Sequence, residues 1–484
     1  MGHSLTAQTS NIVLNKRILT LEDAIQIAQE QSFAYKVAYN NFQRSMWSYA
    51  LFRSSFYPSL SLEGTIPNYS RAINKITLPS GEDIFVNQNQ AFSSLRLGIS
   101  QRVAWTGGSL SLFSSLDRID VLGQNAYHRY AMAPFSISYF QDHIGYNESK
   151  WLKNIEPLRF ESANKEFITD MENIAATTVG YYFATLSAQT SHSLSIQNLR
   201  QSDTLFARTQ ERFKLGTVSQ GELLQLRLKL LNAQQQVAQD SIQYILAWQN
   251  LTSYLLLPDD QHWDLQASED LKFKKLLIDD VFEHAQQHGS AVLGFQLKKL
   301  EANQSLAKTR ADHRLKFQIQ ANLGVSNTAQ TWGGLWNGLE NQQQFLIGFS
   351  IPILDWGYSR TQKQRAEANL AMVESQIQQE YMLLSQEVAL QVSRWNLQQQ
   401  QLILAKESQA IATQNYTLEL ERFLRGAISL NDLNAAQHQK DQTVKSYLNT
   451  LEMYWQALFT LRKLTLYDFF EGQPIRFVSN NPLQ

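Results

Sequence analysis

Apolar residues recur along this chain with two different periods, and the change from one to the other happens twice. After a polar stretch over residues 1–17, Leu19-Thr20-Leu21-Glu22-Asp23-Ala24 opens a helix, with Thr20 as cap and Asp23 three residues on. The helical pattern runs to about Phe56, where Pro58 ends it. The spacing then shifts to two. Leu60, Leu62 and Ile66 alternate with small or polar residues, as do Leu95, Leu97, Ile99 and Val103 with Arg96, Gly98, Ser100 and Arg102. Leu110, Leu112 and Leu116 follow the turn Thr106-Gly107-Gly108, and Phe135, Ile137 and Tyr139 follow Pro134. These are four strands, each with one apolar and one polar face. The polar stretches at about 69–91 and 117–133 predict long loops, and Thr-Gly-Gly predicts a tight turn. A soluble sandwich would show the same alternation, but long loops on one side and short turns on the other suit an outer-membrane barrel wall.

From about Asn147 the helical period returns and holds to about Leu215, roughly 100 Å of helix at its rise per residue. A return helix follows, with positions 223, 226, 230, 233, 237, 240, 244, 247, 251 and 254 forming a coiled-coil seam that only Asp240 interrupts. The equivalent steps from Leu433 to Leu464 are more polar near their start, at Lys440 and Thr443. Pro258 ends the first return helix, and a charged linker over about 258–277 joins the halves. The second half then repeats the plan. Leu276-Leu277-Ile278-Asp279-Asp280-Val281 matches the opening, Phe317, Ile319, Ala321, Leu323 and Val325 alternate, and so do Phe345, Ile347, Phe349, Ile351 and Ile353. Asp355-Trp356-Gly357 leads into another helix of about 65 residues, as the same period requires.

The two long helices end in twin turns. Arg212-Phe213-Lys214-Leu215-Gly216-Thr217-Val218-Ser219-Gln220-Gly221-Glu222-Leu223 has its counterpart in Arg422-Phe423-Leu424-Arg425-Gly426-Ala427-Ile428-Ser429-Leu430-Asn431-Asp432-Leu433. Each glycine supplies a left-handed residue just past a helix end. Each serine caps the next helix, with Glu222 expected to complete a capping box and Asp432 to sit favourably at the positive helix end. A connection this short forces the joined helices antiparallel, and two copies at matching places imply a duplicated architecture.

Composition removes several alternatives. A net charge of −1 gives no field for nucleic acid, and the lack of cysteine excludes disulfides, thiolate metal sites and cysteine nucleophiles. Nine prolines and 21 glycines in 484 residues favour long uninterrupted elements. No apolar run reaches the roughly 18 residues of a membrane helix. The N-terminus lacks the basic and apolar regions of a signal peptide, and the strands favour a signal already removed. His284 and His288 share a helix face, but no third ligand is evident and a solvated face is the expectation. Trp47, Trp105, Trp151, Trp332, Trp336 and Trp356 fall near strand ends, where an interfacial aromatic belt would lie. No phosphate loop or nucleophile–base signature appears.

The paired RF-x-x-G-x-x-S turns, the LTLEDA opening, Tyr57-Pro58-Ser59-Leu60 before a strand and Ile351-Pro352-Ile353-Leu354-Asp355-Trp356-Gly357 after one resemble the TolC family of outer-membrane efflux proteins, over about residues 18–466. The resemblance implies an α+β membrane protein: a trimeric outer-membrane β-barrel continuous with a long periplasmic α-helical coiled-coil tube, with an internal two-fold repeat. The expected division is a flexible N-terminus (1–17), a first repeat (18–257; strands about 59–143, turn 214–219) and an equatorial linker (258–277). A second repeat (278–466; strands about 316–355, turn 424–429) and a tail (467–484) complete it. The family's members usually give four strands per chain, hence twelve in the barrel; the pair at about 108–143 would either make six per chain and an eighteen-stranded barrel or sit outside the wall as an elaborated loop. The implied function is a passive exit duct that docks to a periplasmic adaptor and an inner-membrane pump, with no catalytic residue, cofactor or metal. Its adaptor-docking tips would be Gly216, Thr217, Val218, Ser219, Gly426, Ala427, Ile428 and Ser429. Its periplasmic entrance would involve Glu222, Asp432, Arg212 and Arg422, the arginines pairing with these acids or with helix-end carbonyls. Ala435 stands where some members carry a second acid, so an acidic ring here would be thin. The competing class is a structural periplasmic coiled-coil protein with a soluble β domain.

Overall fold

The computed structural model describes residues 17–123, 126–258, 263–267 and 271–477. Most of the expected N-terminus, the end of the tail and parts of the linker therefore lie outside the described residues. The chain divides into two compact units, one of residues up to 43, 163–292 and from 380 on, the other of 44–162 and 293–379.

In the first unit β1 (Arg17–Leu19) leads into α1 (Leu21–Gln31), whose cap is a full box: Asp23 N–H donates to Thr20 Oγ1 (3.1 Å) and Thr20 N–H to Asp23 Oδ2 (3.3 Å). The helix breaks at Ser32, whose hydroxyl accepts from Tyr35 N–H (3.1 Å) and caps α2 (Phe33–Ser54). The single helix expected before the strands is therefore two.

Past the first strands, α3 (Glu148–Lys214) and α4 (Gln220–Leu255) form the first long hairpin. β6 (Trp263–Leu265) then pairs in parallel with β1. The second half opens with α5 (Ile278–Gln287) and α6 (Ser290–Asp312), separated at Gly289, where an added Cβ would sit 2.4 Å from Ala285 O and 2.9 Å from Leu464 O. α7 (Tyr358–Leu424) and α8 (Leu430–Thr465) form the second hairpin. α3 and α7 each have 67 residues, and α4 and α8 each have 36. No helix among the described residues is long and apolar enough to cross a membrane.

No position of the first seam is exposed: Leu226 and Leu251 are buried and the other eight half-buried. A second apolar stripe on α4, at Leu224, Leu228, Leu231, Ile242 and Ile245, is at least 51% exposed. On α7, Leu383, Leu390, Leu397, Leu404, Ile411 and Leu418 recur every seven residues, and each is at least 45% exposed. A strict seven-residue apolar repeat is the pattern of a left-handed coiled coil, so each hairpin carries one seam filled by this chain and another stripe left uncovered.

Side-chain amides tie the linker to the long helices. Gln189 on α3 accepts from Leu265 N–H (3.3 Å) and donates to Leu265 O (3.1 Å). Gln399 on α7 does the same with Lys274, accepting at 2.8 Å and donating at 3.1 Å. Asn396 repeats the arrangement at Leu276 (3.1 and 2.9 Å), and Trp395 Nε1 donates to Lys274 O (2.8 Å). Each amide offers an extended backbone the donor and acceptor that a neighbouring strand would. After α8, β9 (Tyr467–Asp468) and β10 (Gln473–Pro474) form a small hairpin against the unit.

The second unit is built on one antiparallel sheet. β2 (Ser59–Thr77), β3 (Asp83–Arg102), β4 (Ser109–Val121), β5 (Tyr127–Gln141), β7 (Lys316–Ala329) and β8 (Glu340–Ser350) lie in the order β2-β3-β4-β5-β7-β8. The extra pair, β4 and β5, thus sits in the middle of the sheet. The sheet does not close, since β2 and β8 are its two edges. Directly opposed residues share a face, and Leu62↔Leu97, Ile99↔Leu112, Leu112↔Ile137, Ile137↔Leu323 and Ala321↔Phe345 carry one apolar band across all six strands. The band is open: Leu62 is 69% exposed, Leu97 48% and Phe345 70%. The opposite face carries Arg96, Ser115, Ser138, Asn322 and Gln344.

Three expectations about the strands need correction. The stretch at 69–91 is not a long loop: β2 and β3 pair continuously from Asn68↔Phe92 to Thr77↔Asp83 around a turn at Gly81 (φ +85°). A bulge between Thr65 and Asn68 and polar residues on both faces hide this extension from the alternation. Likewise β4 and β5 extend through most of 117–133, pairing as far as Val121↔Tyr127. Third, Ile351 and Ile353 lie beyond β8, because Pro352 has no N–H to give to a ladder. Asp355 then caps the start of α7, accepting from Ser359 N–H (2.9 Å).

Candidate functional site

The two helical turns are the candidate site, and their local chemistry follows from glycine and serine. Gly216 has φ +73° and Gly426 φ +75°. With the chain turned left-handed there, Gly216 N–H donates to Phe213 O (2.9 Å) and Thr217 N–H to Arg212 O (3.0 Å). Gly426 N–H donates to Phe423 O and Ala427 N–H to Arg422 O, both at 2.9 Å. These are the paired bonds of a Schellman motif, which satisfy carbonyls that a helix end leaves open. Thr217 Oγ1 adds a second donor to Arg212 O (2.9 Å). The helix-end carbonyls are thus occupied by the turn itself.

The caps differ from the expectation. Ser219 Oγ accepts from Glu222 N–H (3.2 Å), but the reciprocal bond from the glutamate is absent among the described residues. At the second turn the box is complete: Asp432 N–H donates to Ser429 Oγ (3.3 Å), and Ser429 N–H donates to Asp432 Oδ2 (3.1 Å). Ser429 Oγ also lies 2.7 Å from Asp432 Oδ2. These bonds, with the nearby positive charge of Arg422, hold the Asp432 carboxyl below the usual carboxylate range. Neither arginine is paired with either acid. Arg422 bonds Glu419 (2.9 Å), one turn back on its own helix, and Arg212 forms no ion pair among the described residues.

In both turns one residue points inward. Val218 and Ile428 are half-buried, while Gly216, Thr217, Ser219, Gly426, Ala427 and Ser429 are exposed. Ile428 packs on a core made by all four long helices: Leu205 of α3, Leu226 of α4, Tyr416 of α7, and Leu430, Leu433 and Ala436 of α8, with Phe423 beside them. This shared core brings the two turns to the same end of the first unit.

Further along the helices a polar set, missed by the sequence reading, bonds one hairpin to the other. Lys229 Nζ on α4 donates to Asn434 Oδ1 (2.5 Å) and Gln437 Oε1 (2.9 Å) on α8. Asn198 Nδ2 on α3 donates to Asp441 Oδ2 (2.7 Å), and Tyr416 OH on α7 donates to Gln201 Oε1 on α3 (2.5 Å). Burial pulls the Lys229 ammonium below the usual lysine range. Lys440, only 8% exposed, lies 4.7 Å from the centre of the Tyr416 ring. The polar residues at its seam position were the one available signal.

Other candidates resolve differently. His284 and His288 share a face, as their spacing requires, but they stack against Tyr467, with ring centres 3.8 and 5.7 Å away. No group of three or more His, Cys, Asp or Glu side chains that could hold a metal occurs among the described residues. Trp105 (85% exposed) and Trp356 (90%) flank the sheet at the end where the helices join, and Trp332 and Trp336 lie at the other end.

The family described as outer membrane efflux protein matches residues 284–465. No curated protein sequence matches the chain. Among solved structures, the CmeC outer membrane channel of Campylobacter jejuni is similar at 15% identity and a TM-score of 0.66, over 94% of this chain and 87% of that one. The open state of the MtrE outer membrane channel of Neisseria gonorrhoeae gives 16% and 0.62, over 92% and 88%. The outer membrane protein VceC of Vibrio cholerae gives 11% and 0.63, over 92% and 95%.

Proposed function

We propose, from the match of residues 284–465 to the family described as outer membrane efflux protein and from the fold shared with solved outer-membrane channels, that the protein is a passive outer-membrane exit duct of a tripartite efflux or secretion system. The observation that carries this reading is the open apolar band across all six strands, bounded by two bare sheet edges. In water such a face and such edges would aggregate. In a bilayer the band is the outer wall of a barrel. Residues 317–325 of β7 supply about the nine to eleven positions that a tilted membrane strand uses, and tryptophans near both ends suit the two interfaces.

Six strands cannot enclose a channel, so strands from several copies must combine. A trimer closes the edges by pairing β2 of one copy with β8 of the next, giving eighteen strands. The uncovered stripes on α4 and α7 would meet neighbouring helices in the same assembly, extending the barrel into a periplasmic tube. The recurrence of the same order in both halves, strands followed by a 67-residue helix, a glycine turn and a 36-residue helix, supports an internal duplication. The two turns, at one end of the first unit, are the surface offered to a periplasmic adaptor, itself coupled to an inner-membrane pump. Docking there would splay the hairpins and open the entrance, where Asp432, with Glu222, carries the acidic charge. The duct performs no chemistry.

Two measurements test this. Detergent-extracted protein should be a trimer by light scattering, with a rod projecting from the detergent belt in negative stain. A monodisperse monomer that needs no detergent would sink the barrel and the duct together. Gly426→Asp should abolish export while leaving the trimer assembled, and normal export from that variant would remove the docking assignment.

A further inference from the structure

A cavity of about 530 Å³ lies in the first unit, walled by α1, α3, the end of α8 and the β9–β10 hairpin. That volume falls within the roughly 300–1,000 Å³ of small-molecule sites. Its walls combine an apolar surface with an excess of negative charge. Leu21, Ile25, Trp455 and Phe459 supply the apolar part, and the Trp455 and Phe459 rings stack at 6.3 Å. Four carboxylates line it, those of Glu22, Glu172, Asp468 and Glu471, against the two guanidinium groups of Arg462 and Arg476.

One of the two arginines, Arg462, is already satisfied. Arg462 donates from Nε and Nη2 to Glu172 (2.9 and 3.1 Å) and from Nη1 to Asp468 (2.8 Å). One guanidinium thus serves two carboxylates, and one of them, Glu172, has only 1% of its side chain exposed. Burial raises the Glu172 carboxyl above its usual range despite that partner. Arg462 also sits 5.5 Å from the centre of the Phe459 ring, so the aromatic wall already faces one cation.

We propose that this cavity is a binding site for a small organic cation: an ammonium, amidinium or guanidinium group carried on an aromatic or aliphatic body. The charged end would lie toward the carboxylates and the apolar body against Trp455, where stacking and cation–π attraction act together. An anion would meet four carboxylates against two guanidinium groups, one of which, Arg462, already serves two of those carboxylates. This assignment does not rest on the export reading.

The probe is benzamidine, with benzamide as its neutral counterpart of nearly the same shape. Titration calorimetry on the full chain in detergent should show benzamidine binding at one site per chain, at least tenfold more tightly than benzamide. Glu471→Gln and Glu22→Gln, both at exposed positions, should each weaken benzamidine several-fold, and raising salt from 50 to 500 mM should weaken it further. Trp455→Leu should weaken both compounds. Equal affinities, binding unchanged in both charge variants, or no binding at millimolar benzamidine would each overturn the proposal.

Discussion

Replacing Gly426 with alanine separates backbone strain from steric conflict. A Cβ built on Gly426 meets no atom within 4 Å, so the substitution causes no clash. What remains is the φ of +75°, which costs an L-residue about 1–2 kcal/mol relative to glycine. The two Schellman bonds hold only while that residue stays left-handed, so the cost falls on the turn and the first residues of α8. If the turn opens locally, 1–2 kcal/mol raises the open population about 5- to 30-fold. Hydrogen exchange on peptides covering 420–435, below the rate of global unfolding, should accelerate by that factor. Asparagine tolerates the left-handed region better than alanine, so Gly426→Asn should lie between alanine and wild type. Gly216→Ala, also without a Cβ contact, should reproduce the effect at the first turn alone. Exchange in Gly426→Ala indistinguishable from wild type, or Asn as disruptive as Ala, would refute the strain argument.

Three further outcomes follow from other parts of the molecule. Leu97→Arg, on the apolar band, should cost about 2–4 kcal/mol near a bilayer midplane and block heat-stable assembly, whereas Ser138→Arg on the opposite face should assemble; equal behaviour would remove the lipid-facing assignment. Leu397→Glu with Leu404→Glu should leave helical content intact by circular dichroism but release monomers on native gels, and an intact oligomer would show that the α7 stripe is not an interface. Asp432 has a lowered carboxyl, so its capping contribution is complete above the ordinary carboxylate range and is lost as pH falls through the lowered value. Exchange at the second turn, corrected for intrinsic rate, should rise in that acid window and show no such rise in Asp432→Asn.

Legibility in the sequence followed period and punctuation. α3 and α7 were readable because their 3.6-residue pattern persists, across Pro157 in α3, until a glycine requires a left-handed turn, and Ser219 and Ser429 were readable as caps because few residue types do that work. Strand pairs with one wet face, such as Leu97 with Leu62, announced themselves by alternation. The outer parts of β2 and β3 did not, because Asn74, Lys75, Asn87 and Gln88 make both faces polar and the ladder alone keeps them extended. The breaks at Ser32 and Gly289 were also hidden: one is a side-chain cap inside a helical pattern, the other a close backbone approach. Glu222 and Asp432 exchanged their expected capping roles, because the reciprocal bond depends on side-chain geometry that spacing does not specify. The bonds of Lys229 with Asn434 and of Gln399 with Lys274 join residues far apart in the chain, and no local pattern signals them.

The amides of Gln189 and Gln399 set where each long helix is able to move. Each stands 27 residues before its turn glycine, Gly216 or Gly426, which is about 40 Å of helix. Sliding a helix along its axis would break both bonds of its amide at once and leave backbone groups unpaired. A small tilt about the amide costs far less, and the free arm magnifies it: about 5° at the glutamine becomes roughly 3.5 Å at the turn over that length. Each long helix is in this sense a lever with its fulcrum at the linker. Displacements too small to disturb the packing around Trp395 and Tyr182 become, at the far end, the width of a water molecule or more.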